Sequence, residues 1–174
     1  NNHVSVLESQ WGDRRLANLP GGCILVSNHI SHFDPPTISM VCRRQVDWMA
    51  MDDLFVKQWL ARGLMSLGAF PVKRWKADRH ALRTALERLA MGRLVGIFPE
   101  GGLRVRSKSI LYGAPMAGGA ALLSVLSGVP LLPCVIIGTD QLYNYKNWSP
   151  LRKVGVWVAF GELIYPNAGC SRDE

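Results

Sequence analysis

Paired cysteines, a serine elbow, a leader peptide and internal repeats are all missing from this sequence, and each absence removes a class of protein. The four cysteines, Cys23, Cys42, Cys134 and Cys170, are widely scattered with no Cys-x-x-Cys pair. A zinc ribbon is thereby excluded, no disulfide framework is indicated, and a reducing, cytosol-facing compartment is expected. No Gly-x-Ser-x-Gly stretch occurs, and no cysteine sits in a comparable strand-to-loop setting. A substrate hydroxyl is therefore the expected nucleophile, rather than a protein group. No signal peptide is visible, and the chain opens on Asn1, which reads as a trimmed fragment. No repeat, low-complexity tract or linker divides the 174 residues, so a single domain over 1–174 is expected.

Acidic residues are also scarce. Twenty Lys and Arg stand against thirteen Asp and Glu, a net charge of +7. Such a surface favours anionic partners: phosphate esters, acidic carriers or anionic membrane. No recognition motif for nucleic acid accompanies it. Charge is absent altogether from Ser109 to Thr139. That stretch also holds Gly113, Pro115, Gly118, Gly119, Gly128, Pro130 and Pro133, too many breakers for a spanning helix. It reads as a buried helix followed by a buried strand.

What is present is an alternation of apolar runs. Cys23–Ser27, Val46–Met51, Ala69–Val72, Leu94–Phe98, Leu131–Ile137 and Val154–Phe160 read as strands. Between them, Pro35–Arg43 reads as a helix, with Asp34 as N-cap and Pro35 at its first position. Asp53–Met65 reads as a helix with Leu54, Phe55, Trp59 and Leu60 inward and Lys57 and Arg62 outward. Ala77–Met91 is the clearest amphipathic helix, with Leu82, Ala85, Leu86 and Leu89 on one face and Gly92 just past its end. Pro115–Ser127 is a fourth helix, ended by Gly128. Asn144–Arg152 reads as a polar loop. The pattern predicts an α/β fold: one domain with a mostly parallel or mixed central sheet, flanked by helices on both faces.

Three polar constellations follow predicted strands. The first is Asn28-His29-Ile30-Ser31-His32-Phe33-Asp34, a histidine and a carboxylate on a strand-to-helix loop. The second, Gly68 to Arg74, ends on Lys73 and Arg74. The third is Phe98-Pro99-Glu100-Gly101-Gly102-Leu103-Arg104. If the strands run parallel, all three loops gather at the sheet edge where open α/β sheets bind ligands. His29 can take a proton from an alcohol, with Asp34 fixing its tautomer. Lys73, Arg74 and Arg104 can hold a phosphate ester. Glu100 and Gly101 stand beside a turn that allows a ligand close approach.

These blocks resemble the glycerolipid acyltransferase family, the 1-acylglycerol-3-phosphate and related lysophospholipid acyltransferases. Asn28-His29-x4-Asp34 matches its N-H-x4-D block, and Gly68-x-Phe70-x-x-x-Arg74 is similar to its second block. Phe98-Pro99-Glu100-Gly101 matches its third, and Val129-Pro130-Leu131-Leu132-Pro133 its fourth, all in the family's order. The resemblance implies transfer of a fatty acyl group from acyl-CoA or acyl-carrier protein to the hydroxyl of a lysophospholipid. The expected acceptor is 1-acylglycerol 3-phosphate, with lyso-ornithine lipid as the alternative. It implies His29 as general base, Asp34 as its partner, and Arg74, Glu100, Gly101 and Arg104 around the acceptor phosphate and glycerol. No metal and no cofactor are implied.

The third block usually continues Thr-Arg-Ser. Here Gly102-Leu103-Arg104-Val105-Arg106-Ser107 replaces it, so the phosphate role falls to Arg104 or Arg106. The apolar N-terminal anchor of many relatives is not seen. The expectation is the cytoplasmic face of a membrane, reached peripherally or through a removed anchor. Trp59 and Trp75, among Lys57, Arg62, Lys73 and Lys76, would meet an anionic membrane surface. A rival reading of another class is a metal-dependent hydrolase on His29, His32 and Asp34, which still lacks a further ligand from the remaining histidines, His3 and His80.

Overall fold

The computed structural model describes residues 4–6, 19–42, 44–73, 78–148 and 154–166. Among the described residues seven strands form one sheet: β1 (Val4–Val6), β2 (Cys23–Ser27), β3 (Val46–Met51), β4 (Phe70–Val72), β5 (Leu94–Ile97), β6 (Leu131–Ile137) and β7 (Val156–Phe160). Their order is β1-β7-β6-β2-β5-β3-β4. Strands β6, β2, β5, β3 and β4 are parallel, and β7 joins β6 antiparallel with β1 parallel to it. The sheet is thus mixed, with a parallel majority. Among the described residues four helices connect it: α1 (Asp34–Val41), α2 (Gln58–Ser66), α3 (Arg79–Ala90) and α4 (Gly119–Ser127).

Alternation along β2 explains why both faces are covered. Cys23 and Leu25 pack with Ile38 of α1, Trp48, Leu132 and Ile136 on one side. Ile24 packs with Ala85 and Leu89 of α3, Val95, and Ala120 and Leu123 of α4 on the other. Successive strand residues point to opposite faces, so a strand buried on both sides reads as an unbroken apolar run. Asp78 caps α3, accepting from the backbone N–H of His80 and of Ala81 at 3.0 Å each. Gly92 follows that helix at φ +75°, as the sequence leads one to expect.

Four expectations need correcting. Helix α1 starts at Asp34, and its cap position is Phe33, with no side-chain cap. The Asp34 carboxylate turns back toward the preceding loop instead. The helix expected over Asp53–Met65 is broken: a 3-10 turn, Asp52–Phe55, precedes α2, and Lys57 between them is extended at ψ 114°. Rotated this way, α2 sends Leu64 to the core and leaves Trp59 72% exposed, so Trp59 is no anchor. The helix expected from Pro115 begins at Gly119, because the Ala117 N–H is drawn to the Pro99 carbonyl at 3.0 Å. Finally, the polar stretch from Asn144 contains a 3-10 turn, Tyr145–Trp148. The charge-free stretch resolves into one short 3-10 turn, Ile110–Tyr112, followed by α4 and β6. Among the described residues no helix is long and apolar enough to cross a membrane.

Gly96 sits in β5 opposite Trp48 of β3, and the indole lies flat across it. A Cβ there would meet the indole at 2.5 Å. Overpacking of this kind costs about 1–3 kcal/mol. Gly96→Ala is therefore expected to lower the unfolding free energy measured in urea by that amount, whereas Gly63→Ala, with open space around it, leaves it within error or raises it.

Candidate active site

Strand β2 is central, and its main chain must leave the sheet so that His29 can project from the C-terminal edge. Asn28 makes that exit possible. Its buried amide donates from Nδ2 to the Ile136 carbonyl and accepts from the Ile136 N–H at Oδ1, each at 2.8 Å. The side chain thus supplies the two bonds that the β2 backbone would otherwise give to β6, one step beyond the Ser27–Cys134 pair. The backbone is released without leaving buried polar groups of β6 unpaired.

His29 follows immediately and is held on every side. Its Nδ1 lies 2.9 Å from Asp34 Oδ2. A carboxylate only accepts, so Nδ1–H donates to it and Nε2 carries the lone pair. The ring is 15% exposed, and Asp34 is fully buried. Asp34 Oδ2 also accepts from the backbone N–H of Ile30 at 2.7 Å and of Ser31 at 2.8 Å. Oδ1 accepts from the Thr139 hydroxyl. The imidazole stacks on Phe98, centroids 4.0 Å apart and planes 14° apart, and Phe98 stacks on Trp48 at 4.6 Å and 7°. Trp48 is itself tied by its indole N–H to Ser39 Oγ at 2.9 Å.

The loop after β5 clamps the same residue by its backbone. Glu100 Oε2 accepts from the His29 N–H at 2.8 Å, and the His29 carbonyl accepts from the Arg104 N–H at 2.7 Å. Glu100 Oε1 accepts from Ser109 Oγ at 2.7 Å and from the Ile110 N–H at 2.8 Å. Glu100 is buried, and these donors occupy both its oxygens. Gly101 turns the chain at φ +63° directly after it. The Arg104 guanidinium contacts its own neighbour, the Leu103 carbonyl, at 3.2 Å, and among the described residues it has no carboxylate partner. Arg106 is exposed and takes φ +54°, a left-handed backbone uncommon outside glycine.

Other expected residues stand apart. Lys73 is exposed after β4, its backbone N–H bonded to Asp78 Oδ2 at 2.9 Å. Three strand spacings separate β4 from β2, about 14 Å across the sheet. Arg74, with Trp75 and Lys76, lies outside the described residues. His32 is exposed, and its Nδ1 meets the Tyr143 hydroxyl at 2.5 Å rather than converging on His29. No group of three His, Cys, Asp or Glu among the described residues is placed to hold a metal ion. Burial pushes the Cys23 and Cys134 thiols up to about 12, which suits inert core packing.

Asn28, Phe98, Thr139 and Tyr143 are the contributors that the sequence reading did not assign. Thr139 and Tyr143 carried a usable signal: they follow β6, which is parallel to β2 and adjacent to it, so their loop opens at the same edge.

A buried carboxylate orienting an imidazole at the C-terminal edge of parallel strands defines an α/β domain equipped to take a proton from a hydroxyl. The comparisons narrow that class. The family model for acyltransferases matches residues 13–137, and the chain belongs to that family. It is 29% identical over 127 residues to the 1-acyl-sn-glycerol-3-phosphate acyltransferase of Bacillus subtilis (strain 168), covering 71% of this chain and 61% of that one. It is 30% identical over 155 residues to the chloroplastic 1-acyl-sn-glycerol-3-phosphate acyltransferase BAT2 of Brassica napus, covering 86% and 44%. The crystal structure of the 1-acyl-sn-glycerophosphate (LPA) acyltransferase PlsC from Thermotoga maritima superposes with a TM-score of 0.70 at 26% identity, covering 99% of this chain and 66% of that one. The chain spans less than two thirds of the length of each of these relatives.

Asn28→Ala strands a buried donor and a buried acceptor at Ile136, and the expected loss of stability is about 2–4 kcal/mol by urea unfolding. Asn28→Asp should be at least as damaging, since it sets an acceptor against the Ile136 carbonyl. A loss below about 0.5 kcal/mol in both variants would show that the amide does not carry the strand pairing.

Proposed function

We propose that this chain transfers a fatty acyl group from a thioester, acyl-CoA or acyl-carrier protein, to the free hydroxyl of a lysophospholipid, with 1-acylglycerol 3-phosphate as acceptor and phosphatidic acid as product. The observation that carries the reading is the His29–Asp34 pair: Nδ1 is committed to a buried carboxylate, which leaves Nε2 as the base. His29 Nε2 takes the hydroxyl proton as the acceptor oxygen attacks the thioester carbonyl. The tetrahedral intermediate collapses, the C–S bond breaks, and the thiolate leaves with the proton from the imidazolium. Asp34 stabilises that imidazolium while it exists. No metal or cofactor takes part in this scheme.

The acceptor phosphate is assigned to cations at the same edge. Arg104 suits the role, because its guanidinium has no carboxylate partner among the described residues and its backbone is tied to His29. Arg74 and Lys73 would extend the anion site, with Gly101 giving the ligand room. Glu100 would act by holding the base loop, given that its oxygens are engaged. Thiol release from acyl-CoA and acyl-carrier protein, measured across a panel of lyso-lipids that includes lyso-ornithine lipid, tests donor and acceptor together. His29→Ala is expected to lower kcat by about 10³-fold, and Arg104→Ala to raise KM for phosphate-bearing acceptors. Activity that survives His29→Ala, or that a chelator abolishes, would remove the reading.

The partner surface is read as an anionic bilayer at the cytoplasmic face. Support comes from α2 and its flanks, where Val56, Trp59 and Leu67 are 77%, 72% and 70% exposed beside exposed Lys57 and Arg62. No acidic residue lies between Asp53 and Asp78. Exposed aromatic and basic groups together suit the headgroup layer. In flotation with liposomes containing anionic lipid, the protein is expected to co-float, with a blue shift in tryptophan emission. Purely zwitterionic liposomes should recover much less. Equal recovery from both, or no change with Trp59→Ala, would count against this face.

A further inference from the structure

We propose that Thr139 is a positioning residue for the base pair, acting through Asp34. The inference rests on the reading of His29 as the general base, but its geometry is independent of any substrate. Thr139 lies two positions beyond the last residue matched by the family model, which ends at 137. It is fully buried, and its hydroxyl donates to Asp34 Oδ1.

The division of donors on that carboxylate makes Thr139 distinctive. Oδ2 receives the Ile30 and Ser31 N–H groups and the His29 imidazole. Oδ1 receives only Thr139 among the described residues. The donors on Oδ2 hold that oxygen, but hydrogen bonds tolerate bending, so the carboxylate can still rock about Cβ–Cγ and carry Oδ2 with it. A donor on the second oxygen restrains the rocking, so the direction in which Oδ2 meets the His29 Nδ1–H depends on Thr139.

The local backbone is built to deliver this hydroxyl. Gly138 takes φ +94°, and a Cβ there would meet the Gly155 carbonyl oxygen at 2.3 Å. The chain therefore turns sharply at the end of β6, and Thr139 opens a 3-10 turn running to Tyr143. The other end of that turn binds the same loop. The Tyr143 hydroxyl accepts from the His32 N–H at 2.9 Å and meets His32 Nδ1 at 2.5 Å. One turn thus grips the His29 loop from both ends, at Asp34 and at His32.

The test uses Thr139→Val, which keeps the shape and removes the hydroxyl, and Thr139→Ser, which restores it. Thr139→Val is expected to lower kcat by about tenfold to a hundredfold, the scale of a misaligned base, with KM for donor and acceptor unchanged. Thr139→Ser should stay within about threefold of the parent on the same scale. In an Asp34→Asn background, Thr139→Val should have little further effect, because the residue acts only through that carboxylate. The downfield Nδ1–H resonance of His29 in the proton NMR spectrum should move in Thr139→Val and hold its place in Thr139→Ser. This readout needs no turnover, so it decides the inference even if acyl transfer is not the activity. Full kcat in Thr139→Val, failure of serine to rescue, an effect undiminished in the Asp34→Asn background, or an unmoved imidazole resonance would each overturn it. If Thr139→Val does not fold, the serine variant carries the decision: loss of its activity or a displaced His29 resonance would refute the proposal, and parent values for both would support it.

Discussion

A buried carboxylate must be given donors or it does not stay charged, and that constraint at Asp34 organises the site. Removing such a group from water is costly unless hydrogen bonds replace its hydration. The fold provides them from three places: the loop before α1, the imidazole of His29, and Thr139 after β6. Only a chain that brings β2 and β6 side by side can do this, and the parallel pairing of those strands does so. Asn28 belongs to the same solution. By taking over the β2 backbone's bonds to Ile136, it lets the chain leave the sheet at the point where Asp34 needs the Ile30 and Ser31 N–H groups.

Two buried carboxylates hold His29, and they divide the work. Asp34 binds the ring, and Glu100 binds the backbone N–H, with the Arg104 N–H closing on the carbonyl. Neighbouring loops after β2 and β5 are therefore stitched together through the main chain of one residue. The ring itself lies against Phe98, which Trp48 backs and Gly96 makes room for. None of the contacts that fix the plane of the imidazole involves Nε2.

Much of this was legible in the sequence. Unbroken apolar runs such as Cys23–Ser27 and Leu131–Ile137 gave strands with matching bounds, because strands buried on both faces leave little room for polar residues. The spacing of His29 and Asp34 after a strand gave the pair itself. Helix starts were less legible. Asp34 and Pro115 carry local start signals that other contacts overrode, the first by the N–H groups of Ile30 and Ser31 just before it and the second by the Pro99 carbonyl. Trp59 misled for a related reason: hydrophobicity reports what could be buried, and the break at Lys57 sets which side of α2 faces the core. Thr139 and Tyr143 were invisible by residue type, since a threonine and a tyrosine in a loop carry no chemical signature. Strand order alone makes them neighbours of His29, and that order is a property of the whole sheet.

The opposite end of the sheet shows why the donors to Asp34 matter as a set. Asp47, at the start of β3, is also buried, but it is met by Arg93 at 2.7 Å and Arg88 at 3.1 Å. Burial pushes the Asp47 carboxyl up from its ordinary range, while the two guanidinium groups beside it pull it back down. That aspartate is balanced by cations and serves to join β3 to α3 and to the turn before β5. Asp34 has no such cation among the described residues; its donors are backbone amides, a hydroxyl and an imidazole. Neutral donors fix a carboxylate in place without cancelling its charge. Under the proposed chemistry that difference is what the reaction needs, because an uncancelled negative charge favours the imidazolium only when His29 has taken the proton. A cation on the same oxygen would cancel that charge in advance.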